Sequence, residues 1–247
     1  NRFDRKQNTF ASYRHAPHLQ DSLSQDDISV IYEDCNKILW IGTISAGLNK
    51  YVRHKNLFKR YTHDPLSAGS LSNGFVRAIL IDRRNQLWVG TYGGLNIFDP
   101  IGDIFIPMQY LDSEEHRGRM LNECLSEDST GSIWLATFSG IACFDQNTQE
   151  FTWYEHTVDP NSLSHQIVYT VMADRKDRIW AGTYHGLNMM DQNREGFIHF
   201  LNNPKDKSTI PHNMVITLFE DNDSTIWIGT AGGGLAKLKP DSRKFKS

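Results

Sequence analysis

Five tryptophans recur along this chain at nearly constant intervals of 48, 46, 46 and 47 residues. They are Trp40, Trp88, Trp134, Trp180 and Trp227. Each has an aspartate six residues before it, and each is followed by a small residue, a threonine and then a glycine joined to an aliphatic residue. Self-similarity at a fixed period of about 45 residues is typical of solenoids and propellers. The chain is therefore predicted to be a repeat protein.

One repeat contains four short apolar runs separated by turn residues. In the second repeat these runs are Phe75–Ile81, Leu87–Thr91, Leu95–Asp99 and Ile104–Tyr110. Short runs rich in branched and aromatic residues predict strands, and no long window carries a helical apolar stripe. Four antiparallel strands per repeat of about 45 residues are typical of a propeller blade. We therefore predict an all-β fold, a β-propeller arc of about five four-stranded blades.

The repeats predict a single β-propeller segment over residues 1–247. Residues 1–15 align with the end of a repeat and are predicted to form a partial blade, so we expect the chain to be an arc of a longer propeller. A Ser-Leu-Ser element precedes three of the full repeats, whereas residues 114–119 replace it in the third. These connections vary most, so specificity is expected to reside there. The full repeats are predicted at about residues 22–64, 70–112, 118–160, 162–204 and 210–247.

The recurrent residues have predicted structural roles. The tryptophans are expected to be buried between adjacent blades, because a large flat side chain at a constant strand position suits such packing. Trp153 lies outside this register and is expected to be less buried. The aspartates fall where strands one and two join, and their carboxylates are predicted to accept backbone N–H groups. A calcium loop at residues 221–224 is the alternative, disfavoured because Cys35 and Lys176 occupy corresponding positions in other repeats.

Composition excludes several function classes. The net charge is −3 and the basic residues are scattered, which argues against contact with nucleic acid and against a polybasic membrane surface. No segment has the pattern of a membrane span or of a secretory signal. The cysteines Cys35, Cys124 and Cys143 occupy different repeat positions, so no metal site and no cofactor are predicted. A disulfide between Cys124 and Cys143 stays open, with two buried thiols as the favoured alternative.

Two stretches, Leu71 to Tyr110 and Leu163 to Phe200, share a longer pattern. Both have a Leu-Ser start, the aspartate, a Trp-x-Gly-Thr strand, Gly-Leu-Asn and a closing aromatic strand. This pattern resembles the regulator-type propeller repeats in the periplasmic sensor region of hybrid two-component systems. Those systems are typical of gut Bacteroidetes that sense and degrade glycans. The resemblance covers essentially the whole chain, and the third repeat departs from it at Asn122, Glu123 and Ala136.

The resemblance implies a periplasmic segment of an inner-membrane sensor. Such sensors are similar in having two seven-bladed propellers, an immunoglobulin-like domain, a membrane helix, a histidine kinase and a receiver with a DNA-binding module. None of the kinase, receiver or DNA-binding portions lies in this chain. The implied function is non-catalytic detection of an oligosaccharide in signal transduction. The implied partners are that ligand and other blades or domains of the same protein, and a homodimer stays open.

Two other function classes are weighed against sensing. Some propellers are lyases or hydrolases that draw single histidines and acids from several blades, and His185, Glu123 and Arg77 are the candidates here. No nucleophile elbow, zinc-hydrolase motif or phosphate-binding loop is present, so the segment is not predicted to be an enzyme. A scaffold for protein partners ranks above the enzyme, and it would require an exposed apolar rim.

Candidate ligand-binding residues lie in the loops between strands two and three and at the position five residues before each aspartate. That first-strand position varies between repeats, as recognition would require. Sugars present apolar faces and hydroxyls, which suit the flat and polar side chains of tyrosine and histidine. The alternative is that these aromatics only cover the rim of the core or meet a neighbouring domain. The predicted ligand-binding set is Tyr92, Phe138, Tyr184, His185, Arg77 and Tyr169.

Overall fold

The computed structural model describes residues 1–108, 124–239 and 244–246. The chain divides into two compact units, residues 1–109 and 110–247. Every regular element in the described residues is a β-strand, and none of them is a helix. The predicted all-β class is therefore confirmed.

The first unit contains a hairpin and two four-stranded sheets. The hairpin pairs β1 (Arg2–Asp4) with β2 (Thr9–Ala11). The strands of the first sheet are β3 (Ile28–Glu33), β4 (Leu39–Thr43), β5 (Leu48–Val52) and β6 (Leu57–Tyr61). Those of the second sheet are β7 (Val76–Ile81), β8 (Leu87–Thr91), β9 (Gly94–Asp99) and β10 (Ile104–Pro107). In both sheets the strands pair antiparallel in chain order, which is the topology of a propeller blade.

The second unit contains three further blades with the same topology. The third blade consists of β11 (Cys124–Glu127), β12 (Ile133–Thr137), β13 (Gly140–Asp145) and β14 (Glu150–Tyr154). The fourth consists of β15 (Val168–Ala173), β16 (Ile179–Thr183), β17 (Gly186–Met190) and β18 (Phe197–Phe200). The fifth consists of β19 (Val215–Glu220), β20 (Ile226–Thr230), β21 (Gly234–Leu238) and β22 (Phe245–Lys246). Residues 114–119, Asn122 and Glu123, which the sequence singled out, lie outside the described residues, as does Tyr110.

Consecutive blades meet at their first strands. In the first unit β3 contacts β7, and in the second β15 contacts both β11 and β19. Hydrogen bonds join these neighbours directly. Ser29 Oγ donates to Val76 O at 2.5 Å, and the Ala173 N–H donates to Ser126 Oγ at 3.0 Å. The fourth strand forms the opposite edge of each sheet.

Three of the recurrent tryptophans, Trp40, Trp134 and Trp180, pack against the following blade. Trp40 meets Phe98 of the second blade edge to face, with ring centroids 5.4 Å apart. Trp134 and Trp180 lie in clusters with apolar residues of the blades that follow them. Four of the five tryptophans are 0–2% exposed, which confirms the predicted burial for Trp40, Trp88, Trp134 and Trp180.

The prediction of burial is wrong for Trp227, which is only half-buried. Leu235, on the adjacent strand, is 54% exposed, whereas its counterpart Leu48 in the first blade is fully buried among residues that include Leu71 and Val76 of the second blade. Burial at these positions therefore comes from a following blade, and the described residues contain none after the fifth sheet. Trp153, expected to be less buried than the recurrent tryptophans, is also half-buried.

Each recurrent aspartate binds both its turn and its tryptophan. In the third blade, Asp128 Oδ1 accepts the Ser132 N–H at 3.0 Å and Asp128 Oδ2 accepts the Trp134 Nε1–H at 2.9 Å. The corresponding indole-to-carboxylate distances in the five blades are 2.7–3.2 Å. The predicted turn role is confirmed. The additional bond to the indole explains why the spacing of six residues is constant.

The recurrent threonine and glycine form the second turn of each blade. Thr137 Oγ1 donates to Gly140 O at 2.9 Å, and each of the other blades has the same bond. Gly140 has φ +117°, and a Cβ at this residue would lie 2.2 Å from Tyr154 O, so only glycine fits. The small residue before the threonine has another cause. A Cβ on Gly182 would lie 2.6 Å from Val215 Cγ1 of the next blade.

All three cysteines are free thiols. Cys35 is exposed, whereas Cys124 and Cys143 are partly buried. Burial raises the pKa of the Cys143 thiol to about 11, so this residue stays a neutral thiol at physiological pH. The disulfide between Cys124 and Cys143 that the sequence left open is not formed.

Candidate ligand-binding site

A β-bulge lies in the first strand of four blades. The register between strands one and two shifts by one residue at the same place in β3, β7, β15 and β19, so one residue of each first strand lies at the shift. Bulges redirect a side chain and are over-represented next to binding sites. The position is the variable one, five residues before each aspartate, and its third-blade member, Glu123, lies outside the described residues. The bulge residues are Ser29, Arg77, Tyr169 and Ile216.

In the second blade, the bulge residue joins two aromatic rings to form the Arg77 cluster of Phe75, Arg77 and Tyr92. Asn73 Oδ1 accepts the Phe75 N–H at 2.8 Å, and Phe75 O accepts the Tyr92 N–H at 3.1 Å. The rings of Phe75 and Tyr92 are 4.1 Å apart, and the guanidinium carbon of Arg77 lies 5.3 and 5.9 Å from them. A cation over aromatic faces is an attractive arrangement. The cluster therefore sets guanidinium donors beside flat apolar surface.

In the second unit, Phe138, His165, Tyr169, Tyr184 and His185 form the Tyr184 cluster. Phe138 of the third blade meets the bulge residue Tyr169 edge to face, with 6.4 Å between ring centroids. The rings of His165 and Tyr184 are 5.1 Å apart. Tyr184 is 51% exposed and His185 is exposed, so the cluster opens to solvent. Phenol hydroxyls and imidazole nitrogens thus lie beside apolar ring faces.

Burial and neighbouring groups keep two members of the Tyr184 cluster uncharged. Burial, with a smaller contribution from Tyr184, raises the pKa of the Tyr169 hydroxyl. Burial, followed by the nearby His156 and His185, lowers the pKa of His165. The rings of His156 and His165 are nearly parallel, 6.4 Å apart and inclined by 16°. At neutral pH, Tyr169 and His165 therefore present hydrogen-bonding groups without a charge.

Sequence reasoning missed two members of these clusters. His165 follows a Leu-Ser pair as Asn73 does in the second blade, so aligning the two repeats at that pair would have singled it out. Phe75 was treated only as a strand residue. The structure places the predicted residues in both units: Arg77 and Tyr92 lie in the Arg77 cluster, and Phe138, Tyr169, Tyr184 and His185 in the Tyr184 cluster. Their role in binding stays a prediction.

Other histidines of the connecting loops have structural partners. The Nδ1 atoms of His15, His63 and His156 lie 2.6–2.7 Å from the carbonyl oxygens of Leu23, Leu71 and Leu163 and donate to them. Each bond closes the loop that enters a blade. In the fifth blade Asn202 takes this role, since its Nδ2 donates to Ile210 O at 2.7 Å. These histidines fix the loops that lead to the clusters.

Asp221, considered as part of a calcium loop, uses its carboxylate as the other four aspartates do. Oδ1 accepts the N–H groups of Asp223 and Thr225 at 2.9 Å, and Oδ2 accepts the Trp227 Nε1–H at 2.7 Å. Within residues 1–108, 124–239 and 244–246, no three His, Cys, Asp or Glu side chains are grouped to hold a metal ion. Over the same ranges, no helix has the length and apolar character needed to cross a membrane.

Solved structures share this architecture. Two extracellular domains of hybrid two component systems from Bacteroides thetaiotaomicron are 21% and 22% identical to this chain, cover 93% and 87% of it and have TM-scores of 0.73 and 0.72. This chain spans only 29% and 27% of their lengths. A virginiamycin B lyase from Staphylococcus aureus is 9% identical, with a TM-score of 0.66 over 91% of this chain and 72% of the lyase. At these identities the likeness establishes the fold.

The blade topology and these likenesses define a β-propeller protein. Residues 70–93, 162–185 and 209–232 match the family model described as Two component regulator propeller. Three segments of the chain thus match regulator propeller repeats, which confirms the resemblance noted in its sequence. Among curated proteins, the comparison finds no match.

Proposed function

We propose that this chain is a ligand-detecting propeller segment of a hybrid two-component signalling protein, located in the periplasm and detecting an oligosaccharide. The observation that carries this proposal is that each blade combines constant framework residues with one variable residue at the bulge. The aspartate, tryptophan, threonine and glycine form one repeated framework, while the bulge presents a different side chain in each blade: Ser29, Arg77, Tyr169 and Ile216. A constant framework that carries a different side chain at the same position of each blade is what recognition of an asymmetric ligand requires.

The chemistry of the two clusters favours sugars. Carbohydrate rings have apolar C–H faces, which pack on aromatic rings, and hydroxyls, which need donors and acceptors in fixed positions. The Tyr184 cluster supplies Phe138 and Tyr184 as ring surfaces and Tyr169 and His185 as polar groups. The Arg77 cluster adds guanidinium donors beside Phe75 and Tyr92. Neither cluster needs a metal ion or cofactor for this kind of contact.

The periplasmic and signalling parts of the proposal rest on the repeats and on the solved relatives. The repeats match regulator propellers of two-component systems, and two similar structures are extracellular domains of hybrid two component systems. A histidine kinase elsewhere in the full protein would receive the signal. This segment would act without catalysis, because its sequence contains no nucleophile elbow, zinc-hydrolase motif or phosphate-binding loop.

A protein-binding scaffold is the second candidate, favoured by exposed apolar residues in the connecting loops. Leu66 is 95% exposed and Val158 is fully exposed. Both lie in loops that join a fourth strand to the next blade. Leu66 and Val158 lie in different loops, so neither by itself makes the contiguous apolar patch that a stable protein interface requires, and this candidate ranks below ligand sensing.

Calorimetric titration of the 247-residue chain against a panel of plant and host oligosaccharides tests the proposal, with a chromatographic assay for cleavage of each sugar. Saturable binding without cleavage is the expected result. Turnover of any sugar would instead favour an enzyme. Absence of sugar binding together with capture of a defined protein through the Leu66 and Val158 loops would favour the scaffold.

A further inference from the structure

His165 holds a turn at the entrance of the fourth blade. Its Nδ1 accepts the main-chain N–H of Ile167 at 3.0 Å. A ring nitrogen can accept a hydrogen bond only when it carries no proton, so this bond requires a neutral imidazole with its proton on Nε2. The turn therefore exists in this form only while His165 is neutral.

The same turn positions Tyr184. Ile167 O accepts the Tyr184 N–H at 3.0 Å, and the Tyr184 ring packs on the His165 ring. His165 thus contacts Tyr184 twice, directly through its ring and indirectly through the main chain of Ile167. Displacement of the turn would therefore move the exposed side chain of Tyr184.

The surroundings of His165 oppose its protonation. The rings of His156 and Tyr184 lie 6.4 and 5.1 Å from the His165 ring, and His156 and His185 are near enough to act on its charge. His156 donates its own Nδ1 proton to Leu163 O. A histidine carries no negative charge, so His156 does not stabilise a protonated His165. With partial burial added, the pKa of His165 lies below the usual histidine value of about 6.5.

We propose that His165 is a positioning residue for Tyr184 in the ligand site, and that its neutral form alone holds Tyr184 in the binding position. The inference rests on the proposed ligand-sensing function for its biological meaning. It adds a regulator to that site, since acidification would release the turn and weaken binding.

The chain contains two natural comparisons for this turn. In the second blade, Asn73 Oδ1 accepts the Phe75 N–H at 2.8 Å, so asparagine builds the same turn without a titratable group. In the fifth blade, His212 Nδ1 accepts the Met214 N–H at 3.1 Å, but the corresponding loop residue is Ala231 in place of tyrosine. His165→Asn is therefore the conservative variant, and His212→Asn is its matched control.

The first experiment needs no ligand. Nuclear magnetic resonance of the 247-residue chain follows the imidazole nitrogens of His165 and the amide signals of Ile167 and Tyr184 between pH 7.5 and pH 4.5. Neutral His165 is expected to carry its proton on Nε2, and both amide signals should shift together as His165 titrates, below about pH 6.5. In His165→Asn both amides should lose this response, whereas in His212→Asn they should keep it. An Nδ1 proton on neutral His165, or a response that persists in His165→Asn, would overturn the proposal.

The second experiment measures affinity for whichever oligosaccharide of the panel binds. If only neutral His165 supports binding, the affinity should fall by about tenfold per pH unit well below its pKa. His165→Asn should lose most of this fall, and its slope of affinity against pH is compared with its own affinity at neutral pH. Failure of all sugars to bind, with the amide response intact, would refute the oligosaccharide function and leave the positioning role standing. Undiminished pH dependence of affinity in His165→Asn would refute the positioning role itself.

Discussion

Ser164 and Asn188 bind each other through two hydrogen bonds between the entry loop and the third strand of the fourth blade. The Ser164 N–H donates to Asn188 Oδ1 and Asn188 Nδ2 donates to Ser164 Oγ, both at 2.9 Å. In the fifth blade Pro211 stands in place of the serine and Ala236 in place of the asparagine. Because proline has no N–H, it needs no acceptor. The two positions therefore change together for a physical reason.

Replacement of Asn188 by alanine should lower the free energy of unfolding by about 1–3 kcal/mol, because the Ser164 N–H loses its acceptor in a buried environment. Urea unfolding measures this change, with Asn222→Ala, at an exposed position, as the control. Adding Ser164→Pro to Asn188→Ala copies the fifth blade and should recover part of the loss. An Asn188→Ala variant as stable as the unmodified chain would contradict the role assigned to this pair.

The five tryptophans should differ in their contribution to stability. Trp134→Ala should cost about 3–5 kcal/mol, the usual range for a fully buried aromatic side chain. Trp227→Ala should cost clearly less, because Trp227 is only half-buried. Thermal unfolding of both variants checks the order. Equal losses would show that the following blade is not the source of the burial energy.

Asp128 should contribute to the loss of stability in acid. Burial alone would raise the pKa of its carboxyl, but hydrogen bonds from Thr130, Trp134 and the main chain lower it overall. Because the folded pKa lies below the unfolded value near 3.9, this stability is present above about pH 4 and is lost as the pH falls through the folded pKa. Asp128→Asn should therefore be less stable than the unmodified chain at pH 7, with a difference that shrinks at lower pH. Urea unfolding across this range tests the prediction, with Asp223→Asn, at an exposed position, as the control.

Two glycines with positive φ allow backbone strain to be separated from steric conflict. Gly140 and Gly232 have φ of +117° and +98°, but a Cβ would meet Tyr154 O at 2.2 Å only at Gly140, while nothing lies within 4 Å at Gly232. Gly232→Ala should therefore cost the strain alone, about 1–2 kcal/mol. Gly140→Ala should cost more, because the main chain of the adjacent strand must shift. Similar melting temperatures for the two variants would show that the neighbouring strand yields easily.

Replacing Tyr92 and Tyr184 together by alanine should abolish affinity for the oligosaccharide and leave the fold intact. Both residues lie on exposed loops between strands two and three, so their removal opens no cavity in the core. Ile44→Ala is the matched control, because Ile44 occupies the same loop position in the first blade and is also exposed. Calorimetry gives the affinity, and circular dichroism verifies the fold. Unchanged affinity in the double variant would refute a role for these two loops in binding the oligosaccharide.

The repeat predicted the blades because its strand and turn residues act locally. An aspartate at a turn and a glycine with positive φ report on their own backbone, so Asp128 and Gly140 were interpretable from the sequence. The constant spacing to Trp134 was visible as well, although its hydrogen-bond meaning required the folded turn. Trp227 was mispredicted because its burial depends on a neighbouring blade and not on its own residue type.

The candidate site was harder to derive because its geometry depends on a register shift. A bulge leaves no residue signature, since the bulge position holds serine, arginine, tyrosine or isoleucine. Tyr169 and Arg77 could be placed on a variable position, but the register shift at that position could not be recognised. Phe75 was missed because it acts through its main-chain bond to Tyr92, which only the folded loop displays. His165 was missed because it acts on Tyr184 through its ring and through the turn at Ile167.

The bulge has a consequence for how such a protein can change over time. Because the bulge residue lies at a shift in the register between strands one and two, a substitution at Tyr169 or Ile216 leaves the paired residues on either side in place. Duplicated blades can then acquire different side chains at this point one mutation at a time, without passing through unfolded ancestors. A family built from such units can acquire new side chains at the bulge while the architecture of its blades stays the same.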